Sequence, residues 1–558
     1  MQKIPIGRSD FQALIEDKCY YVDKTLIIKE VIQSNADVIL LPRPRRFGKT
    51  LALTTLKYFF ANNEDNKHLF KNLAIYQTKE FTEHCGQYPV IYLTFKDIKE
   101  ANIEAALPKI YALIRSEFSR HEAVINQILD KIEHEDKRTY QNIITGKATP
   151  DNYGNSLKLL SKLLTMAYQK KCIVLIDEYD TPIQTGFIKG YYEDIIEFFK
   201  TFLGAVLKDN EQCLYKAVIT GILRISKEST FSDLNNIAVF TLLDNEFSDK
   251  FGFTIPEVKR LLTAYHLIEN FAEVDDWYDG YKIGDTVIFN PWSILNYTNR
   301  KRLGVYWANT SSNDIIRTLV ENSATFRNDL QVLLNKGSVE KVVDPNITFK
   351  NKDFNFDDKM LYSFLFFSGY LKCNGKRFVR GKYLCQLSIV NMECQYIFED
   401  SIVGWLDAGF TNVKLKLMLK ALIEVDLKLF EKIFSEFVRD TLSYFDTAKK
   451  VESVYHAFLL GLLVNLYDYE IISNQECGYG RSDIMILHKE NKTRPAIIME
   501  LKTIDEFEEE TKDSALESAI TQIEDRQYAA KIEQRGYTNI VKFGVVFDGK
   551  RVWIKSSE

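Results

Sequence analysis

Between Asp37 and about Asp244, short apolar runs alternate with longer patterns of helical period. The runs are Val38–Leu41, Val90–Phe95, Cys172–Ile176, Ala217–Thr220 and Ile237–Leu243. Each is too short and too rich in β-branched residues for a lone helix, and helical sequence follows most of them. This alternation predicts a parallel, doubly wound α/β sheet. From Ile255 the pattern turns helical, with Thr254 as N-cap and Pro256 in the first turn. Helical segments then run to about Val451, broken by strand-like stretches near Phe378–Ile389. The last region opens on an amphipathic helix from Ser453. Strand-like runs follow at Glu470–Asn474, Ile484–Leu487, Ala496–Leu501 and Ile540–Phe547, with a helix over Asp513–Glu533 before the last. The order is αβββαβ. Three regions are expected, 1–250, 251–450 and 451–558, the middle one mostly helical.

Composition adds limits. At about 150 residues per domain, 558 residues suggest three to four domains. With 46% hydrophobic residues there is material for several cores. A net charge of −5 gives no general pull toward nucleic acid, so any such contact must be a local basic patch. The eight cysteines are scattered without a C-x-x-C pair, which argues for free thiols in a reducing compartment. No secretory h-region and no long apolar run is present, so a cytoplasmic protein without membrane contact is expected.

Candidate chemistry begins at Val38–Leu51, where an apolar strand leads through Arg43-Pro-Arg-Arg-Phe-Gly-Lys-Thr into a helix. This is P-loop context. Arg45, Arg46, Phe47, Gly48 and Leu51 would frame a phosphate, Lys49 would reach the β/γ-phosphates, and the Thr50 hydroxyl would ligate Mg²⁺. Arg43 stands where the first glycine of the usual motif belongs. A buried-strand run, Cys172–Ile176, ends in Asp177-Glu178, a Walker B pattern: Asp177 for Mg²⁺, Glu178 to polarise the attacking water. Thr220 closes another strand as a γ-phosphate sensor, and Arg224 would supply positive charge. Lys49 and Asp177 stand 128 positions apart, which implies a helical insertion near Ile103–Ala167.

In the last region Gly478-Tyr-Gly-Arg-Ser-Asp precedes Ile497-Ile-Met-Glu-Leu-Lys. On adjacent antiparallel strands, Glu500 and Lys502 share a face because strand side chains alternate, and Asp483 approaches the same point. Two hard carboxylates suit Mg²⁺ or Mn²⁺, and a lysine suits activation of water for phosphodiester cleavage. Asp505–Glu510 is an acidic stretch beside this motif.

Two resemblances follow from these residues. The Arg43–Thr50 block, Ile176-Asp-Glu-Tyr-Asp, Thr220–Ser229, Trp277-Tyr-Asp-Gly-Tyr, Phe289–Asn296 and Tyr306-Trp look like the bacterial AAA-ATPase-like proteins, over about residues 1–300. That resemblance implies ATP with Mg²⁺ as cofactor, and makes Arg43 ordinary for the family. Asp483…Glu500-x-Lys502 resembles the PD-(D/E)XK nuclease superfamily, over about residues 452–558, and implies a restriction-endonuclease-like fold. Gln522 with Tyr528 resembles the helix motif of RecB-like members. The same resemblance offers Glu452 as one more carboxylate, and would place Gly478, Gly480 and Arg481 beside a metal.

Three basic clusters interrupt the acidic average: Arg43–Arg46, assigned to nucleotide; Arg300–Arg302, a solvated helix end; and Lys376–Lys382, which interleaves an aromatic with cations between strand-like segments and whose turn could lie on a DNA duplex. Aromatics at helical spacing in Leu361–Leu371 read as core. The expected function is an ATP-hydrolysing protein coupled to a metal-dependent nuclease. Its partner would be DNA rather than RNA, in bacterial defence or DNA processing, with an oligomer open. The competing expectation is a nucleotide-switched scaffold whose nuclease fold does no chemistry.

Overall fold

The computed structural model describes residues 2–62, 65–208, 210–224, 236–307, 326–345, 358–380, 382–406, 412–441, 452–463, 466, 468–477, 480–504, 511–525 and 528–557. The chain divides into two compact units, Met1–Arg327 with Asn335–Gln395, and Asn328–Leu334 with Tyr396–Glu558. This division differs from boundaries at 250 and 450.

In the first unit, β1 (Val38–Pro42), β2 (Val90–Thr94), β3 (Cys172–Asp177), β4 (Leu214–Gly221) and β5 (Ile237–Val239) form one sheet in the order β2-β3-β4-β1-β5. Every pairing is parallel. β1 and β3 are buried at every position, as expected of strands covered on both faces. The helix Lys49–Phe60 follows β1 and buries Leu53, Leu56, Phe59 and Phe60. Each such side chain contributes roughly 1.5–3 kcal/mol of burial. The long interval between β2 and β3 is helical, with Ile103–Arg120, His134–Thr145 and Ser156–Tyr168 its longest helices.

The described middle region is mostly helical, as expected, and its strand-like stretch near Phe378–Ile389 falls on a strand pair. The helix Ile255–Ala264 is present, with a reciprocal capping box between Thr254 and Glu257. Beside the helices, however, stand two three-stranded sheets. One joins β6 (Phe253–Thr254), β7 (Tyr281–Ile283) and β8 (Thr286–Phe289) in the order β6-β8-β7. The other joins β9 (Val339–Val343), β10 (Leu371–Val379) and β11 (Lys382–Ile389) in the order β10-β11-β9. β6 and β7 are two and three residues long, too short for period-two alternation to register.

The second unit holds an antiparallel-to-parallel mixed sheet. Its strands are β12 (Tyr469–Cys477), β13 (Gly480–His488), β14 (Ala496–Thr503), β15 (Ile540–Asp548) and β16 (Arg551–Ser557), in that spatial order. Only β14 and β15 pair in parallel, so the crossover between them must carry helices. These are Lys512–Asp525 and Tyr528–Gln534 rather than one helix over Asp513–Glu533. Alternation divides the sheet's side chains between two cores. Ile484, Ile486, Ile497, Met499 and Leu501 pack with Tyr455, Leu459 and Phe434. Met485, Leu487, Ala496 and Ile498 pack with Ile523, Tyr528 and Ile532. No helix among the described residues is long and apolar enough to cross a membrane.

Candidate functional site

The turn after β1 ends on Gly48 at φ 83°, a left-handed cap that a side chain would strain, and the following helix starts at Lys49. Lys49 is buried, and its Nζ donates to the carbonyl oxygens of Arg43 (3.1 Å) and Pro44 (3.0 Å), so the ammonium is held inside the loop. Burial lowers its pKa against the opposing pull of Glu178, Asp180 and Asp177. Arg45, Arg46, Phe47, Gly48, Lys49, Thr50 and Leu51 all line one cleft of about 630 Å³. That lining carries nine basic side chains against two carboxylates, Asp97 and Glu178. The cleft therefore favours an anion.

β3 lies beside β4, and both deliver their ends to this loop. Asp177 is fully buried and accepts from three hydroxyls: Thr50 (2.7 Å), Thr220 (2.7 Å) and Thr94 (3.3 Å). Burial raises its pKa, the Thr50 and Thr220 bonds lower it, and neighbouring Glu178 raises it. A hydroxyl and a carboxylate touching at 2.7 Å beside an anion-binding loop are the donor set that Mg²⁺ with a phosphate uses, so these residues fit that ion. Glu178 lines the cleft and takes φ 51°, a strained value for a residue with a Cβ, of the kind that clusters at functional sites.

Two expectations at this end change. Arg43 does not face the cleft: its guanidinium is fully buried, donates to the carbonyls of Pro42 (2.8 Å) and Phe240 (2.6 Å), and lies 5.0 Å from the centre of the Phe251 ring. Burial brings its pKa down to about 9, with Asp244 and Glu30 opposing. Arg43 thus ties β1 to the segment after β5, a structural use of the position, and of that basic cluster Arg45 and Arg46 line the cleft. Thr220 faces Asp177 directly, whereas Arg224 is half-buried, near Tyr179 and Asp344, and does not line the cleft.

Other residues escaped sequence reasoning. Asp180 is buried and accepts the backbone N–H groups of Ile222 (2.8 Å) and Leu223 (3.0 Å) and the Gln184 amide (2.7 Å), clamping the end of β4 to β3. Burial pushes its pKa up to about 6, against those backbone bonds and Lys49. The clamp needs Gly221, since a Cβ there would come within 2.7 Å of Asp180 and 2.9 Å of Tyr179. Trp292, just past the Asn290 cap, stacks on the Arg46 guanidinium at 4.3 Å and donates its indole N–H to the Tyr306 carbonyl. Paired acids in Asp177-Glu178-Tyr-Asp180 signalled the first; nothing local signalled the second.

In the second unit the alternation that sorts the cores also sorts the polar residues. Glu500 and Lys502 follow Ile498 on the face of β14 that packs on the helix Lys512–Asp525, and Asp483 lies on the same face of β13 as Met485. The Asp483 carboxylate accepts the Leu501 N–H at 2.7 Å, which locks it across the strand pair. Glu500 is 2% exposed and accepts from the Gln522 amide. The helix reaches that close because β15 carries Gly544 opposite Glu500: a Cβ there would meet Ala519 at 3.1 Å and the Leu516 carbonyl at 3.2 Å. His456, on the helix Glu452–Leu463, contacts the Asp483 carbonyl (3.1 Å) and the Ser473 hydroxyl (3.1 Å), bracing β13 from behind.

Lys502 is half-buried. No group of three or more His, Cys, Asp or Glu placed to hold a metal occurs among the described residues. Asp483 and Glu500 are a two-carboxylate set, which fits an ion such as Mg²⁺ that keeps waters and takes substrate phosphate as further ligands. Tyr528 is fully buried in the cluster with Ile523 and Ile532. Gly478, the Glu452 and Arg481 side chains, and Asp505–Glu510 lie outside the described residues.

Comparisons with known proteins agree with this division. A family model described as predicted AAA-ATPase matches residues 5–231, and one for the PD-(D/E)XK nuclease superfamily matches residues 450–557. An uncharacterized protein in the vnfD 5′ region of Azotobacter chroococcum mcd 1 is 26% identical over 334 residues, 60% of this chain. The match spans 59% of that relative's length. The Walker-type ATPase PABY2304 of Pyrococcus abyssi is 14% identical, with 67% of this chain and 94% of that one covered at a TM-score of 0.34. Residues 5–231 are thus similar to predicted AAA-ATPase domains, and residues 450–557 to the PD-(D/E)XK nuclease superfamily.

Proposed function

We propose that the chain binds and hydrolyses ATP and couples that cycle to metal-dependent cleavage of nucleic-acid phosphodiesters, DNA in preference to RNA. The observation that supports this reading most is the meeting of Asp483, Glu500 and Lys502 on one face of the β13–β14 pair, with Glu500 held by Gln522. A purely structural Glu-x-Lys pair would sit on a solvated face, whereas Glu500 is buried.

In the first domain Lys49 and the backbone N–H groups at the start of its helix bind the phosphates, with Arg45 and Arg46 flanking them. Thr50 and Asp177 would hold Mg²⁺, which supplies charge neutralisation of the phosphates when bound. Thr220 and Thr94 orient Asp177, and Glu178 orients and deprotonates water. Arg224 adds positive charge only if the strand end carrying it moves toward the cleft. In the second domain Asp483 and Glu500 would hold Mg²⁺ or Mn²⁺, and Lys502 positions the attacking water or neutralises the phosphate. The protein would work in the cytoplasm, in defence or DNA processing.

The test is a cleavage assay on single- and double-stranded DNA and RNA, with Mg²⁺ or Mn²⁺, with and without ATP. Cleavage lost in Asp483→Ala, Glu500→Ala and Lys502→Ala is expected. No cleavage of any substrate under any condition overturns the nuclease reading in favour of a nucleotide-switched scaffold.

A further inference from the structure

β10 and β11 pair as a hairpin whose root and tip differ in kind. At the root, Cys385 and Leu387 are buried, Lys376 donates to the Leu243 carbonyl, and Arg377 pairs with Glu340. These contacts fix the hairpin's direction. Toward the tip, Phe378 faces Tyr383 across the strands, the two rings 5.1 Å apart, and Val379 faces Lys382. Phe378 is 68% exposed, the most exposed large hydrophobic side chain among the described residues, and Val379 is 46% exposed. Arg380 and Lys382, flanking the turn, are exposed too.

A lone exposed aromatic would mean little, but Phe378, Val379 and Tyr383 form one contiguous apolar patch rimmed by cations, the arrangement of an interaction surface. Charge names the partner's sign. Residues 371–389 carry Lys372, Lys376, Arg377, Arg380 and Lys382 and no acid, in a chain whose net charge is −5. An open aromatic face amid cations matches a polyanion that also presents flat apolar faces. Unpaired nucleic acid has both, a phosphate backbone and exposed base faces.

We propose that the β10–β11 hairpin is a nucleic-acid contact that takes a single-stranded stretch, with a base stacked on Phe378 and phosphates on Arg380 and Lys382. The proposal rests on the nucleic-acid reading of the preceding section. It locates a binding surface in the ATPase-bearing unit, apart from the residues assigned to cleavage.

The test is fluorescence anisotropy of the full chain with fluorescein-labelled oligothymidylate and oligouridylate, in EDTA so that neither is cut, over a range of salt. Phe378→Ala should weaken binding about tenfold, the worth of one stacked base. Arg380→Gln with Lys382→Gln should reduce the slope of log K against log salt by about 1.4, two single-strand phosphates. Thermal midpoint and ATP turnover should be unchanged in both, which separates lost contact from lost fold. Oligonucleotide bound equally by wild type and both variants overturns the proposal and leaves the nuclease reading standing. Cleavage without hairpin-dependent binding does the same. No oligonucleotide binding by the wild type, with binding to phosphatidylserine vesicles instead, overturns the hairpin proposal in favour of a lipid surface.

Discussion

Asp177 and Glu500 occupy equivalent places in two unrelated sheets, each a buried carboxylate near the carboxyl end of a strand in a parallel pair. What surrounds them differs. Asp177 is held by three hydroxyls from a helix and two neighbouring strands, in a cleft rich in cations. Glu500 is held by an amide on a crossover helix that reaches it over a glycine. Hydroxyls can accept as well as donate, so the Asp177 set can reorganise around an incoming ion or phosphate. At Glu500 the Gln522 amide on the crossover helix donates to the carboxylate. One carboxylate is set among hydroxyls and the other against an amide.

Substitutions at the two sites test that contrast. The largest effect is expected from Asp483→Ala or Glu500→Ala, a loss of cleavage of about a thousandfold, several kcal/mol of transition-state stabilisation, with ATP turnover retained. A turnover assay run beside the cleavage assay reads both. Lys49→Ala should weaken ATP binding about a hundredfold by calorimetry. If the ATPase cycle drives cleavage, the nuclease rate falls with it; an unchanged rate would mean that the two sites work independently.

Asp180 separates clamp from catalyst through pH. Its pKa is raised to about 6 in the folded chain from an ordinary value of 3.8, so the folded state binds the extra proton. That contribution is fully present below about pH 4 and is lost as pH rises through 6. Denaturant melts should show wild type gaining roughly 2 kcal/mol on Asp180→Asn as pH falls from about 6 to 4. A constant difference over that window would show that Asp180 is not buried in this way. Gln522→Leu should weaken Mn²⁺ binding and cleavage about tenfold with the thermal midpoint near wild type, as for a residue that orients a ligand. The smallest effect should come from Trp292→Ala, which removes the stack on Arg46 and weakens ATP binding by about threefold.

Much of the candidate site was legible because its parts are local. A strand, a Gly-Lys-Thr and a helix lie consecutively, and Asp177-Glu178 ends an unbroken apolar run. Glu500 and Lys502 are two apart on one strand, so alternation alone puts them on one face. Where placement departs from expectation, direction rather than residue type is the cause. Arg43 has the same chemistry as Arg45 and Arg46, but the turn aims it inward at the Phe240 carbonyl. Arg224 has the charge for catalysis without lining the cleft. The short strands β6 and β7 went unseen because two and three residues leave no period to detect.

By itself the sequence determined the parallel sheet, its helical insertion, four of the five strands of the last domain and the residue types at both candidate sites, but not the edge strand Arg551–Ser557. These follow from hydrophobic periodicity and short motifs, which depend on neighbours along the chain. Only the tertiary structure decided that Asp180 clamps Ile222 and Leu223, that Trp292 covers Arg46, and that Gln522 reaches Glu500 over Gly544. Each joins residues 22 to 246 positions apart. Such contacts are set by how strands register and how closely helices approach them, and no local pattern encodes that distance.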